Sequence, residues 1–406
     1  MMSWGILAPD TVITSRRQQN LGLAVAVRHF NDRAVPGLGG MWFPMPVLWS
    51  VLAVSIAEEL GRPALSVGNA VEALMMRQAI EGPADRRVRG ARKMQGLTDW
   101  SFRNLTRRGT YVVQPIRMAM VQPLVALSFV QGSRYGAFRI HHAGRQMLEL
   151  PVMKEYRRLL CAWGRGVEPR GLREVISGLS PTGKVPSEVR KLIQARLIEG
   201  DDPNVMRRRN LVALGTGPSA AQLEFAEPLP GIDAAHWTDL RAGGAFIALR
   251  DAALAVLDRL EQRLLQLRDD NQPVRLSTED AMREAAGQIE TLSRLAEDKG
   301  DRIDAGGERI SRAFLAEIRS LPVPQLLQKL AERDGTVIAW RGDRLGLGPA
   351  AGDALTIENP DVTSQPLHVD TFAPQLFRLY NLYCLAAELA GRVNPGCSDT
   401  RSQEAA

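Results

Sequence analysis

FIALRDAALAVLDRLEQRLLQL, Phe246 to Leu267, places leucines at positions 254, 257, 260, 264 and 267. Steps that alternate between three and four keep one apolar stripe along one side of a helix. After a turn over Asp269 to Val274, Ser277-Thr-Glu-Asp280 has the form of a helix start that supplies its own cap. Met282, Ala285, Ile289, Leu292 and Leu295 follow at nearly heptad spacing. Beyond Gly300 to Gly307, a third helix from Glu308 to Leu321 presents Ile310, Phe314 and Ile318. Three such helices with short connections predict an antiparallel bundle or coiled-coil-like hairpin over residues 235–330. Each stripe lasts only about three heptads, which suits packing within a domain or onto a partner. Residues 246–321 are therefore the expected surface for self-association or a partner protein.

Downstream, Thr336 to Trp340 and Arg344 to Leu347 read as two strands around the turn residues Arg341-Gly342-Asp343. A last helix is expected after Phe372-Ala-Pro374, with Leu376, Phe377, Tyr380, Tyr383 and Cys384 available to pack. Hairpin and helix make a segment over 331–393, and the small, polar stretch 394–406 reads as a disordered tail.

Upstream, Gly215 to Gly231 is rich in Gly, Pro and Ala, and the break around 215–235 is the expected domain boundary. Residues 151–214 read as a basic helical module with helices over Leu172 to Leu179 and Pro186 to Leu197. In the second of these, Val189, Leu192, Ile193 and Leu197 share a face and leave Arg190 and Lys191 outside. Between the helices, Gly178-Leu-Ser-Pro-Thr-Gly183-Lys184 has the G-x-x-x-x-G-K spacing of a phosphate cradle. Val185 stands where a magnesium-holding Ser or Thr belongs, Pro181 and Pro186 interrupt the loop, and no apolar strand precedes it. Lys184 is thus the one cofactor candidate, and no cofactor is expected.

Residues 1–85 read as a helical module. Its most apolar stretch, Met41 to Ala57, carries Pro44 and Pro46 and meets Glu58 and Glu59, which falls short of the ~20 residues of a membrane span. A buried helix starting near Pro46 is expected, with no membrane association. A second helix over Ser66 to Ile80 buries Val67, Val71, Leu74 and Met75. Met1 to Asp10 lacks the pattern of a signal peptide.

Residues 86–150 are read as one module. The run Arg86, Arg87, Arg89, Arg92 and Lys93 follows a break at Glu81 to Asp85 and reads as a linker or exposed arm. Pro115 to Leu127 forms a helix that Pro123 kinks or restarts. Ser128 to Gln131 and Ala137 to Ile140 read as strands around Gly132 to Gly136, and Ala143-Gly-Arg-Gln-Met-Leu148 starts another helix.

The segment SFVQGSRYGAFRIHHAGRQMLEL, Ser128 to Leu150, resembles the wing and following helix of winged-helix DNA-binding domains, a likeness that extends over about residues 97–150. The family's Thr-x-x-Gly-Arg helix start is here His141-His142-Ala143-Gly144-Arg145, without the capping Thr. The resemblance implies a helix able to enter the major groove carrying Arg117, and a wing placing Arg134 and Tyr135 near phosphates, with Arg139 on the second wing strand. It equally implies a protein-docking module, since many winged helices serve only that role. Trp100, Phe102 and Tyr111 interleave with Arg103, Arg107 and Arg108, which suits either stacking on single-stranded bases or, more commonly, anchoring a small core.

The 406 residues hold 51 Lys and Arg against 45 Asp and Glu, a mild net +6 that hides an asymmetry. Residues 1–200 contain 28 basic and 14 acidic side chains, and residues 201–406 contain 23 and 31. Residues 86–209 alone hold 25 basic and 9 acidic side chains. Such a basic half predicts a polyanion partner and favours DNA contact over pure protein docking. Cys161, Cys384 and Cys397 form neither a disulfide framework nor a zinc motif, which fits a reducing, cytoplasmic setting.

Enzyme motifs are missing: there is no HExxH, G-x-S-x-G or strand-borne GxGxxG. His141 and His142, adjacent on a strand end, should point apart, and His236 and the His368-x-Asp370 pair read as isolated. No metal site is expected. The sequence therefore predicts a mainly α protein with N-terminal helical and winged-helix modules, then an antiparallel helical bundle with a small β-hairpin near the C-terminus. The expected function is non-enzymatic and nucleic-acid-associated, with DNA preferred to RNA, through Arg86, Arg87, Arg89, Arg92, Lys93, Arg103, Arg107, Arg108, Arg117, Arg134, Tyr135, Arg139, Arg190 and Lys191. At the level of architecture the chain resembles non-catalytic subunits of bacterial chromosome-maintenance or phage-defence complexes, kleisin-like subunits included. The alternatives are an assembly subunit without DNA contact and a nucleotide-binding enzyme using Lys184.

Overall fold

The computed structural model describes residues 21–83, 85–215, 217–268, 274–352 and 376–397. It is mainly α-helical. Its helices are α1 (Ala24–Ala34), α2 (Met45–Leu60), α3 (Ala64–Met76), α4 (Ala91–Met94), α5 (Phe102–Leu105), α6 (Val121–Ala126), α7 (His142–Glu149), α8 (Pro151–Gly164) and α9 (Leu172–Gly178). They continue as α10 (Ser187–Ile198), α11 (Pro203–Ala213), α12 (Ala234–Gln266), α13 (Thr278–Glu284), α14 (Ala286–Ala305), α15 (Arg309–Ser320), α16 (Val323–Asp334) and α17 (Phe377–Leu389). The strands are β1 (Val130–Gln131), β2 (Arg139–Ile140), β3 (Arg275–Ser277), β4 (Ile338–Arg341) and β5 (Arg344–Leu347). Contacts divide the described residues into two units, one drawn from 1–30 and 238–363, the other from 31–237 and 364–406.

The larger unit is built around α2. Every residue from Met45 to Ala57 is buried, so the helix needs cover on all sides. Elements from three expected modules supply it: α3 from residues 1–85, β2 and the 3₁₀ turn Ile116–Met120 from 86–150, and α8 from 151–214. Residues 31–215 consequently share one core. The C-terminal helix α17 completes it against α10 and α11, where the Tyr383 hydroxyl donates to Leu211 O at 2.6 Å. Asn394, expected in a disordered tail, is buried, and its amide donates to Trp42 O and Glu388 Oε2. Residues 398–406 lie outside the described residues.

Strands β1 and β2 pair antiparallel with Val130 opposite Ile140 and Gln131 opposite Arg139. The Gly of the His-His-Ala-Gly-Arg start has a packing cause: a Cβ on Gly144 would collide with Phe129 O, so α7 lies directly against the hairpin. The stretch Pro115 to Leu127 is not one helix. A 3₁₀ turn over Ile116–Met120 hands over to α6, which contains Pro123 in its first turn, where a missing N–H is tolerated.

In the smaller unit Leu254, Leu257, Leu260 and Leu264 of α12 are buried, and only Leu267, at the end of the stripe, is exposed. Ser277 caps α13 by accepting from the Asp280 amide, as its spacing predicts. Two departures follow from packing. The break expected from Gly300 begins only at Gly306, because Gly300 lies against the Arg319 guanidinium, whose Nε donates to Ala296 O at 3.1 Å. The hairpin β4–β5 gains a third strand, β3, giving the order β3-β5-β4. Buried Asp334 fixes its entry by accepting from the amides of Val337 and Ile338.

Candidate functional site

Helix α3 carries on one of its faces Gly68, Asn69 and Glu72, which together hold two segments, the turn between β1 and β2 and residues 111–117. Tyr135, in the turn between β1 and β2, packs on Gly68, where a Cβ would sit 2.7 Å from its ring. Its hydroxyl bonds Ser50, and burial pushes its pKa up to about 12. Arg117 donates through Nε and Nη2 to Asn69 Oδ1 at 3.1 and 2.6 Å and lies over the Tyr135 ring at 5.4 Å. Glu72, 2% exposed, accepts from the Tyr111 hydroxyl at 3.0 Å and from the amides of Ile116 and Arg117 at 2.7 and 3.0 Å. Burial raises the Glu72 carboxyl above its ordinary value, against the pull of those donors and of the Arg117 charge.

At the end of α3 the Arg77 guanidinium covers the Trp100 ring at 5.4 Å, and Trp100 Nε1 donates to Leu97 O at 2.7 Å. Phe102 is buried edge-on against Trp163, and Tyr111 is buried on Glu72. Phe102 and Tyr111 are thus core anchors, while half-buried Trp100 is covered by Arg77. From Gly68 to Arg77 these stations span about 14 Å at ~1.5 Å per residue.

The basic side chains sort into two groups. Arg86 lies over the Trp42 ring at 6.0 Å, and Arg87 grips Asp85 through Nε and Nη2 at 2.7–3.2 Å. With Arg117 and Tyr135 they are spent on the fold, so the first part of the expected arm is docked. Arg89, Arg92, Lys93, Arg103, Arg107, Arg108, Arg134 and Arg139 are exposed. Among the described residues none of the eight has a carboxylate within ion-pair distance, whereas Arg157 and Arg165 share Glu59 and Arg158 meets Glu155. Arg190, half-buried, and exposed Lys191 lie apart on α10, which packs against α7, α11 and α17.

The Gly178–Lys184 loop follows a helix, α9, instead of a strand. Its groups bond internally, Gly183 N to Ser180 O at 2.9 Å and the Ser180 and Thr182 hydroxyls to each other at 3.2 Å. Lys184 is exposed beside a shallow groove of about 450 Å³ that also touches Gln78 and Asp85. No phosphate cradle is formed there. The His141 and His142 rings meet edge to face with centroids 5.9 Å apart instead of diverging, because His142 already belongs to α7. Among the described residues no three His, Cys, Asp or Glu side chains could share a metal. His236 is buried with Nε2 2.8 Å from Ala34 O, and His368 lies outside the described residues.

Sequence reasoning missed Asn69 and Glu72. The signal was a lone carboxylate amid the apolar residues of Ala70-Val-Glu-Ala-Leu-Met-Met76, a pattern that calls for buried partners. Charge follows the same division: the described residues of the larger unit carry 30 basic and 19 acidic side chains, those of the smaller unit 18 and 17. Among the described residues no helix is long and apolar enough to cross a membrane. Comparison with family models, curated proteins and solved structures found no match for this chain.

Proposed function

We propose that the larger unit binds the phosphate backbone of duplex nucleic acid, DNA in preference to RNA, largely without reading sequence. One observation carries the reading: eight exposed Arg and Lys side chains, none with a carboxylate within ion-pair distance, stand on segments that pack on α3 or on its neighbours. Duplex DNA offers about one charge per 1.7 Å of axis, so eight cations match the phosphates of about 14 Å of duplex. Arg89, Arg92, Lys93, Arg103, Arg107, Arg108, Arg134 and Arg139 form the contact set, and the β1–β2 hairpin serves as a wing. Arg117 braces the wing from behind, which leaves no side chain for base-edge readout at that position. This reading contains no catalytic step.

The test is fluorescence anisotropy of the full chain with a labelled duplex at stepped salt. If six to eight phosphates are neutralised, log K should fall against log salt with a slope of about −5 to −7. Absence of binding at the lowest salt, or a slope near zero, would overturn the reading.

A further inference from the structure

Val113 and Met118 are 81% and 54% exposed, the former among the most exposed large apolar side chains described. They belong to a braced segment. Glu72 holds the Tyr111 hydroxyl before it and the amides of Ile116 and Arg117 within it, and Pro115 is buried between. Behind Met118 the neighbouring Arg117 is fastened to Asn69 and to the Tyr135 ring. Two apolar side chains are therefore presented to solvent on a support that resists collapse, in a segment flanked along the chain by the exposed cations Arg103, Arg107 and Arg108 on one side and Arg134 on the other, none with a carboxylate within ion-pair distance.

Apolar tips beside free cations are what minor-groove proteins use: the cations hold phosphates while a Met, Leu or Phe enters between base steps and kinks the duplex. We infer that Met118, with Val113 on the same braced segment, is such a wedge and that this chain bends the DNA it binds. The inference rests on the function proposed above and adds a deformation to it. Unstacking is least costly at TA and CA steps, so bound duplexes containing a central TA step are favoured although no base edge is read. The wide, shallow minor groove of an A-form RNA helix gives the wedge no comparable kink to make.

The experiment uses the full chain and a duplex of about 30 bp with a donor and an acceptor dye at its ends, one version with a central TA step and one of G·C pairs only. Wild type should raise energy transfer on the TA duplex, with a bend in the range of about 20–90°. Met118→Ser should leave energy transfer at the free-duplex value and lower affinity for the TA duplex about tenfold, with the salt slope unchanged. Met118→Leu should keep the bend, and Val113→Ser should reduce it. Both serine changes lie at exposed positions and leave the core intact.

Salt-dependent binding without added energy transfer, or a Met118→Ser variant that bends as wild type does, overturns the wedge and leaves backbone binding standing. No binding to either duplex overturns both. If polyglutamate binds as tightly as the duplex and Met118→Ser weakens only that complex, the surface is a protein-docking site and the wedge is refuted.

Discussion

Replacing Glu72 by Gln changes almost no volume and tests how the 111–118 segment is held. The carboxylate receives three hydrogen bonds, from the Tyr111 hydroxyl and the amides of Ile116 and Arg117, spread over both oxygens. A carboxamide keeps one oxygen and turns an NH₂ toward a donor, so at least one bond is lost and one buried N–H is left facing another donor. Bonds to a charged acceptor contribute about 1.5–3 kcal/mol each, and relief of the buried charge offsets part of that loss. A net cost of about 2 kcal/mol to local closure follows, or roughly a 30-fold rise in the opening equilibrium. Native-state hydrogen exchange read by mass spectrometry on peptides covering 111–118 measures this directly, with peptides from α14 as an unaffected reference. Unchanged exchange at the Ile116 and Arg117 amides in Glu72→Gln would refute the bracing argument and remove the support for the wedge.

The pH dependence has a definite sign. Because burial raises the Glu72 carboxyl above 4.5, its contribution to stability is fully present below that ordinary value and is lost as pH rises through the raised one. The gap between wild type and Glu72→Gln should narrow from acid toward neutral pH in denaturant titrations.

Further expectations concern the same unit. Gly68→Ala places a Cβ 2.7 Å from the Tyr135 ring and should destabilise by about 1–3 kcal/mol despite the helix propensity of Ala, as denaturant melts would show. Arg208, 2% exposed, donates to Leu197 O and Pro36 O, and burial lowers its pKa to about 10. Its replacement by Met should cost about 2 kcal/mol in the same assay through the two stranded carbonyls. Changing Arg103, Arg107 and Arg108 together to Gln should reduce the salt slope of duplex binding by about 3. Arg190→Gln with Lys191→Gln should leave that slope unchanged, and a matching loss there would relocate the interface to α10.

The helical bundle was legible because its signal is local: the leucine steps of α12, the Ser277 cap and the turn before β5 are each written within a few residues. β3 left no comparable trace, since Arg275-Leu-Ser277 is too short to alternate and exists through its pairing with β5. Gly300 read as a break because its compensation, Arg319, lies on the following helix. The basic character of the candidate site was equally plain from composition. Which cations remain free was not, because Arg86 is spent on Trp42 and Arg117 on Asn69, partners far away in sequence. Glu72 marked the organising face of α3, but only the fold shows what it holds.

The last helix also sets a schedule. Arg378, buried on α17, donates its amide to Asn31 Oδ1 at 3.3 Å and pairs its guanidinium with Asp32, both at the start of the same unit. Most of the smaller unit is encoded in between. A ribosome adding about 5–20 residues per second needs roughly 7–30 s to travel from residue 237 to residue 376. Through that interval residues 31–237 wait with the faces of α10 and α11 uncovered, while the intervening unit can already collapse on its own leucines. The larger unit therefore becomes complete only once α17 has been made, and a chain released before residue 376 would carry its cations without the closing helix.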